Sequence, residues 1–238
     1  MSSSPATGHL YLIPCFLHEE GISAIPSYVR EISAKCSVFF VENERSARRY
    51  LKKIWKEIVI DDYTWQLIED AGAKQVNTLL KALQEGKHVG IISEAGCPGI
   101  ADPGQLLVKA AQEKNYKVIP LVGPSSILLA LMASGMNGQQ FSFHGYLPID
   151  GVERKKKIRE LESVSAQSKA TQIFIETPYR NQALLQDIIH TCRQETLLCV
   201  AADLTGPDET VVTRPIGVWK KTDYAYHKRP AIFLLSAG

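Results

Sequence analysis

The sequence predicts an α/β protein built from two α/β domains, with a mostly parallel sheet in the first and a mixed sheet in the second. Three observations predict this. Short apolar runs recur through the first half at Leu10–Ile13, Val38–Val41, Glu57–Ile60, Val89–Ile92 and Val118–Val122. Helix-length segments separate them, which is the alternation of a parallel sheet with crossover helices. Past Ser134 the texture changes. Strands are expected at Phe141–Phe143, Gln172–Ile175, Leu197–Ala201, Thr210–Arg214 and Ala231–Leu235, and the turn residues around Thr210 to Gly217 suggest strand addition and a mixed sheet. The expected domains are 1–121 and 122–238.

The helices follow from spacing. Ile22, Ile25, Val29 and Ile32 are three, four and three residues apart, which puts them on one helical face. Lys74 to Leu83 and Gln105 to Glu113 also read as helices, as do Val152–Ser163 and Tyr179–Thr191. No internal repeat interrupts the series.

Composition narrows the function classes. A chain of 238 residues, 45% hydrophobic and 22% charged, is an ordinary globular composition. A net charge of +2 gives no strong field toward nucleic acid, so any basic surface must be local. Met1 to Thr7 reads as a loose polar tail rather than a signal peptide, and no apolar run reaches the roughly 20 residues of a spanning helix. Cys15, Cys36, Cys97, Cys192 and Cys199 form no C-x-x-C pair, which points to free thiols in a reducing cytoplasm and to no metal and no membrane.

Two loops stand out. Val89 to Gly104 reads V-G-I-I-S-E-A-G-C-P-G-I-A-D-P-G: a buried strand that ends in a glycine- and proline-punctuated loop carrying Glu94 and Asp102. A parallel strand delivers such a loop to the carboxyl edge of its sheet, where ligands bind. An ordinary strand-to-helix connection opened by Asp102 or Pro103 is the other reading of the same residues. Val118 to Ser134 repeats the pattern, with Gly123-Pro124-Ser125-Ser126 between strand and helix. Ser125 and Ser126 suit either an N-cap or a polar ligand group at the helix start.

With Phe141 to Pro148 (F-S-F-H-G-Y-L-P), these stretches resemble the tetrapyrrole methylase superfamily, and within it the ribosomal RNA small-subunit methyltransferase I family. Ser93-Glu94-Ala95-Gly96-Cys97-Pro98 and Ala101-Asp102-Pro103-Gly104 are similar to that family's S-D-A-G-T-P-x-I-S-D-P-G. Val122 to Ser126 is similar to P-G-P-S-A, and His144 to Pro148 to F-x-G-F-L-P. Phe40 to Arg45 resembles A-E-D-T-R, Phe174 to Arg180 resembles Y-E-S-P-H-R, and Ala202 to Gly206 resembles R-E-L-T-K. The departures are Cys15 to Gly21 where the family has G-N-L-x-D, Glu94 for aspartate, and Gly206 for lysine.

The resemblance implies S-adenosylmethionine as methyl donor, with S-adenosylhomocysteine as product, in a cleft between the two domains, and a homodimer. It implies donor contacts at Leu17, Ser93, Glu94, Ala95, Gly96, Cys97, Ser125, Ser126, Thr177, Leu204, Thr205, Pro230 and Ala231. Glu42, Glu176 and Asp203 follow expected strands and are candidates to orient or deprotonate the acceptor. Arg45, Arg48, Arg49 and Lys52 on one segment, and Arg154, Lys155, Lys156 and Lys157 on another, form two basic stretches. Each reads either as a phosphate-binding patch or as a solvated helix face. The expected activity is methylation of a ribose hydroxyl of small-subunit ribosomal RNA. A small-molecule methyltransferase acting on a tetrapyrrole-like ring, and a donor-binding protein without turnover, are the alternatives.

Overall fold

A computed structural model describes residues 8–68, 72–222 and 225–238. The expected tail over 1–7 lies outside the described residues. The chain forms two compact units, Met1–Pro124 and Ser125–Gly238.

Every strand pairing in the first unit is parallel. Its elements are β1 (Leu10–Ile13), α1 (Tyr28–Ser33), β2 (Val38–Val41), α2 (Glu44–Ile54), β3 (Thr64–Leu67), α3 (Ala73–Gln84), β4 (Val89–Ile92), α4 (Gln105–Glu113) and β5 (Val118–Pro120). The sheet order is β3-β2-β4-β1-β5. The two-residue period of a strand divides the side chains between two cores. Tyr11, Ile13, Phe39, Val41 and Ile92 pack with Val29, Tyr50 and Leu51 of α1 and α2. Leu10, Val38, Phe40, Val89 and Ile91 pack with Leu79, Leu83, Leu107 and Ala111 of α3 and α4. Helices on both faces explain why β2 and β4 are buried at every position.

Two expectations are corrected here. Glu57–Ile60 is not a strand: Ile60–Asp62 is a 3₁₀ turn, and the strand is Thr64–Leu67. Ile58 enters the core from a loop, whereas β3 is an edge strand with exposed ends and so carries no apolar run. The helix across Ile22 to Ile32 is broken at Pro26. A 3₁₀ turn spans Gly21–Ala24, Ile25 is extended (φ −93°, ψ 117°), and α1 starts only at Tyr28. Proline disfavours helical geometry in the residue before it.

A histidine pair ties the amino ends of β1 and β4. The His9 main-chain N–H donates to His88 Nδ1 (3.0 Å), and the Tyr11 hydroxyl lies 3.4 Å from His9 Nδ1. Burial, then the neighbouring His88 and Lys117, push the His9 imidazole below its ordinary 6.5. The unfolded chain therefore takes up the proton first, and stability present above that value is lost as pH falls through it. Urea midpoints measured from about pH 7.5 down to about pH 5.5 are expected to fall, and His9→Gln is expected to flatten the slope. An unchanged slope in the variant would remove His9 as the cause.

The second unit comprises α5 (Ser126–Ser134), β6 (Phe141–Tyr146), α6 (Gly151–Ser168), β7 (Thr171–Ile175), α7 (Asn181–Thr191), β8 (Leu197–Ala202), β9 (Thr210–Pro215), α8 (Ile216–Trp219) and β10 (Ala231–Ser236). Its sheet, β6-β7-β10-β8-β9, is mixed: β6 and β7 run parallel and the other pairs antiparallel. Phe174 and Phe233 stack at the centre of a core closed by Leu184 and Ile188 of α7 and by Trp219. Because β10 is antiparallel to both β7 and β8, its first residues lie beside their carboxyl ends, with Ile232 opposite Ile175 and Ala231 opposite Ala202.

Candidate functional site

In the first unit α1, which follows β1, packs on one face of the sheet and α4, which follows the neighbouring β4, on the other. Connections that leave neighbouring strands for opposite faces open a crevice at their carboxyl ends. The two loops there are stitched together. Cys15 N–H donates to Gly96 O (2.8 Å) and Gly96 N–H to Cys15 O (3.2 Å). Gly96 takes φ +72°, which a side chain would strain, and the Leu17 side chain lies against it. Cys97 Sγ lies 3.5 Å from Pro124 O, so the end of β5 joins the cluster. Gly123 is a close approach: a Cβ there would stand 2.1 Å from Pro14 Cβ. The Tyr50 hydroxyl donates to Pro14 O (2.5 Å) and the Tyr28 hydroxyl accepts from Val122 N–H (2.6 Å), which fixes both exits. Leu17 and the loop Ser93, Glu94, Ala95, Gly96 and Cys97 are thus together.

Glu42, at the end of β2, belongs to the same edge. Its Oε1 accepts the Glu94 N–H (3.0 Å), and Glu94 Oε1 is 3.4 Å from the Ser46 hydroxyl. Burial raises the Glu42 carboxyl above its ordinary range; the Glu94 N–H opposes this, and the charges of Asp102 and Glu94 add to it. Asp102 braces its own loop. Its carboxylate accepts both Gly99 N–H (2.9 Å) and Gly104 N–H (2.8 Å), closing a turn in which Gly99 has φ +84° and Ala101 φ +59°.

A second cluster forms in the second unit where β7, β8 and β10 meet. Thr177 follows β7, Leu204 and Thr205 follow β8, and Pro230 and Ala231 lead into β10, where Pro230 O accepts the Asp203 N–H (2.9 Å). Arg229 is its hub and was invisible in the sequence. Its Nε donates to Asp203 Oδ2 (2.5 Å), its Nη2 to Asp208 O (2.9 Å), and its own carbonyl accepts from Asn181 Nδ2 (2.6 Å). Glu209, also not anticipated, accepts the Thr205 N–H (2.6 Å). Asp203 and Thr205 sit at φ +51° and +69° without being glycine, a strain that concentrates at functional sites. Glu176 is buried: its Oε1 accepts from Thr177 N–H (2.7 Å) and from Arg180 Nε (2.9 Å) and Nη2 (2.6 Å). Three buried acceptor or hydroxyl oxygens at these loops, Glu176 Oε2, Asn181 Oδ1 and Thr205 Oγ1, have no partner among the described residues. Ser125 and Ser126 open α5, and the Ser125 side chain, at the N-cap position, makes no cap hydrogen bond.

The basic stretches need correction. Arg154 is buried, with Nε (2.8 Å) and Nη2 (2.5 Å) on Asp187 Oδ2, so it holds α6 to α7 and is not available to a phosphate. On α2, Arg48 pairs with Glu44 and lies over Trp65; Arg49 pairs with Glu19; Lys52 donates to Ile58 O (2.8 Å). Glu44 is one helical turn from Arg48 and visible in the sequence, whereas Glu19 and Asp187 reach their arginines only through tertiary structure. On α6, Lys155 pairs with Asp187 (3.3 Å), Lys156 with Glu153 (3.9 Å) and Lys157 with Glu160 (2.8 Å); Arg45, Lys155 and Lys156 are exposed.

The family model for Tetrapyrrole (Corrin/Porphyrin) Methylases matches residues 28–218. The chain belongs to this family. It is a methyltransferase by family. Among its relatives, the Ribosomal RNA small subunit methyltransferase I of Vibrio cholerae is 31% identical over 207 residues, covering 87% of this chain and 68% of the relative. The protein of the same name from Buchnera aphidicola is 31% identical over 244 residues, covering 100% of this chain and 81% of the relative. The crystal structure of the methyltransferase CobJ superposes with a TM-score of 0.65 at 15% identity, covering 98% of this chain and 95% of that one, which is a likeness of fold. Among this family member's described residues no helix is long and apolar enough to cross a membrane.

Proposed function

We propose that the protein methylates a ribose hydroxyl of small-subunit ribosomal RNA with S-adenosylmethionine as donor. The observation that carries this reading is the agreement between two relatives, both named for that RNA and each matched over most of its length, and a strand-edge acid of raised basicity, Glu42.

The residues fit such a donor. An adenosine and an amino acid group require backbone polar atoms, hydroxyls and apolar walls. Leu17 and the loop 93–97 offer these in one unit. In the other, Thr177, Leu204, Thr205, Pro230 and Ala231 line the second edge, and the unpartnered Thr205 Oγ1 is a buried hydroxyl that such a ligand would satisfy. Ser125 and Ser126, at the start of α5, join the same assignment. The donor supplies an electrophilic methyl carbon on a good leaving group, so alignment and proton removal are the protein's share. With such a donor bound, the Glu42 carboxylate would take the proton of the acceptor hydroxyl as its oxygen receives the methyl group, the carbon–sulfur electron pair staying with the departing sulfur. Glu176 and Asp203 hold arginines in place. Arg45, Lys155 and Lys156 are assigned to RNA phosphates. The same reading includes a homodimer in the cytoplasm.

Mass mapping of ribosomal RNA from cells with and without the gene tests the substrate. One ribose methylation of the small subunit is expected to disappear and to return when purified protein and donor are added. An unchanged methylation map would remove this substrate, and heat of S-adenosylhomocysteine binding without any turnover on RNA would favour a donor-binding protein instead.

A further inference from the structure

An exposed aromatic and cationic cluster stands next to the second strand edge and has no part in the assignments above. Tyr179, in the loop between β7 and α7, is 70% exposed. His227 meets its ring edge-on at 6.2 Å, and the Lys228 ammonium lies 6.0 Å from the ring centroid. The arrangement is built. Lys228 holds a left-handed backbone (φ +64°) and its N–H donates to Pro178 O (2.9 Å), which ties its loop to the residue before Tyr179. The residue after Tyr179 is Arg180, whose Nε and Nη2 are anchored on Glu176, leaving Nη1 without a hydrogen bond among the described residues.

A large ring held in water by ordered backbone, flanked by cations, is a poor core and a good platform. A Lys228 ammonium at 6.0 Å is at the outer limit of a cation–π contact, so it is held loosely enough to turn to another partner. A flat exposed ring with one ammonium over it and a guanidinium on the next residue matches an unpaired nucleotide, whose base stacks and whose phosphates take the charges. A base inside a duplex offers no such face. We infer that Tyr179, His227, Lys228 and Arg180 form a binding platform for a single-stranded RNA nucleotide next to the strand edge of the second unit. This rests on the RNA reading above and extends it to an acceptor contact.

Fluorescence anisotropy with a short mixed-sequence single-stranded oligoribonucleotide, and with the same strand in a duplex, tests the platform. Tyr179→Ala is expected to weaken single-strand binding about tenfold. Tyr179→Phe keeps the stacking face and is expected to keep the affinity. Lys228→Gln is expected to lower the log–log salt slope by about 0.7, the value for one phosphate contact on a single strand. S-adenosylhomocysteine affinity, read by calorimetry, is expected to stay at the wild-type value in all three. The platform is overturned by wild-type single-strand affinity in Tyr179→Ala, by equal losses on single strand and duplex, or by parallel loss of S-adenosylhomocysteine binding, which would mark a damaged fold. Wild-type protein that binds neither RNA would overturn the RNA reading together with the platform, whereas wild-type RNA binding that ignores Tyr179 overturns the platform alone.

Discussion

Glu42→Gln is expected to lower turnover about a hundredfold, the lower end of what a positioned general base contributes, with donor affinity preserved. Three acids stand at strand ends, and their surroundings separate them. Glu176 is buried with Arg180 on its Oε1, and Asp203 is held by Arg229 at 2.5 Å. A carboxylate held by a guanidinium serves as an anchor, its oxygens already accepting hydrogen bonds from the cation. Glu42 has no cation partner among the described residues; burial and the charges of Asp102 and Glu94 raise it, against a single opposing N–H. It is therefore the one of the three not already committed to holding a cation. Below its raised value Glu42 holds a proton and cannot take another, so the rate should climb with pH through that value and then level off. In Glu42→Gln that acid limb should vanish. Glu94→Gln removes one of the negative neighbours and should move the limb to lower pH while keeping it. Turnover in Glu42→Gln close to the wild-type rate, with the acid limb intact, would exclude Glu42 as the base.

What the sequence made legible follows from which features are local. Strands buried on both faces must avoid polar side chains at each position, so β2 and β4 could be read residue by residue, as could the loops that follow them. β3 escaped because an edge strand needs no apolar run, and the alternation at Ile58 and Ile60 came from a loop that dips into the core. The helix before β2 was placed correctly in phase but not in extent, since Pro26 interrupts a pattern that side-chain spacing alone would continue.

The candidate site was legible in its glycines, acids and hydroxyls, which sit in short contiguous motifs. It was not legible in what holds those residues. Asp187 lies 33 positions from Arg154, and Glu19 lies 30 positions from Arg49, so the neutralisation of these two arginines depends on contacts that no local pattern reports. The same holds for Arg229. It sits 26 positions from Asp203, and only the antiparallel pairing of β10 with β8 brings the two together.

That pairing gives Arg229→Ala its expected result: a loss of about 3 kcal/mol in the stability of the second unit and at least a tenfold loss of donor affinity. Arg229 joins three segments. Asp203 Oδ2 takes its Nε, Asp208 O and Thr210 Oγ1 take its Nη2, and its carbonyl receives Asn181 Nδ2. The Asp203 side chain is only 11% exposed, so removing the cation strands a mostly buried charge. The strained backbone at Asp203 and Thr205 loses its anchor at the same time, and Thr205, Pro230 and Ala231 are residues assigned to the donor. Arg229→Lys should recover part of the stability and little of the affinity, because one ammonium cannot span the fork that holds both Asp203 and Asp208. Adding Asp203→Ala to Arg229→Ala relieves the stranded charge, so the double variant should be more stable than the sum of the two single losses predicts. Its donor affinity should stay low, since the loop is still untethered. Urea unfolding and calorimetry with S-adenosylhomocysteine read the two quantities separately. Additive stability losses, or donor binding at the wild-type level in Arg229→Ala, would show that the network around Asp203 neither supports the unit nor shapes the site.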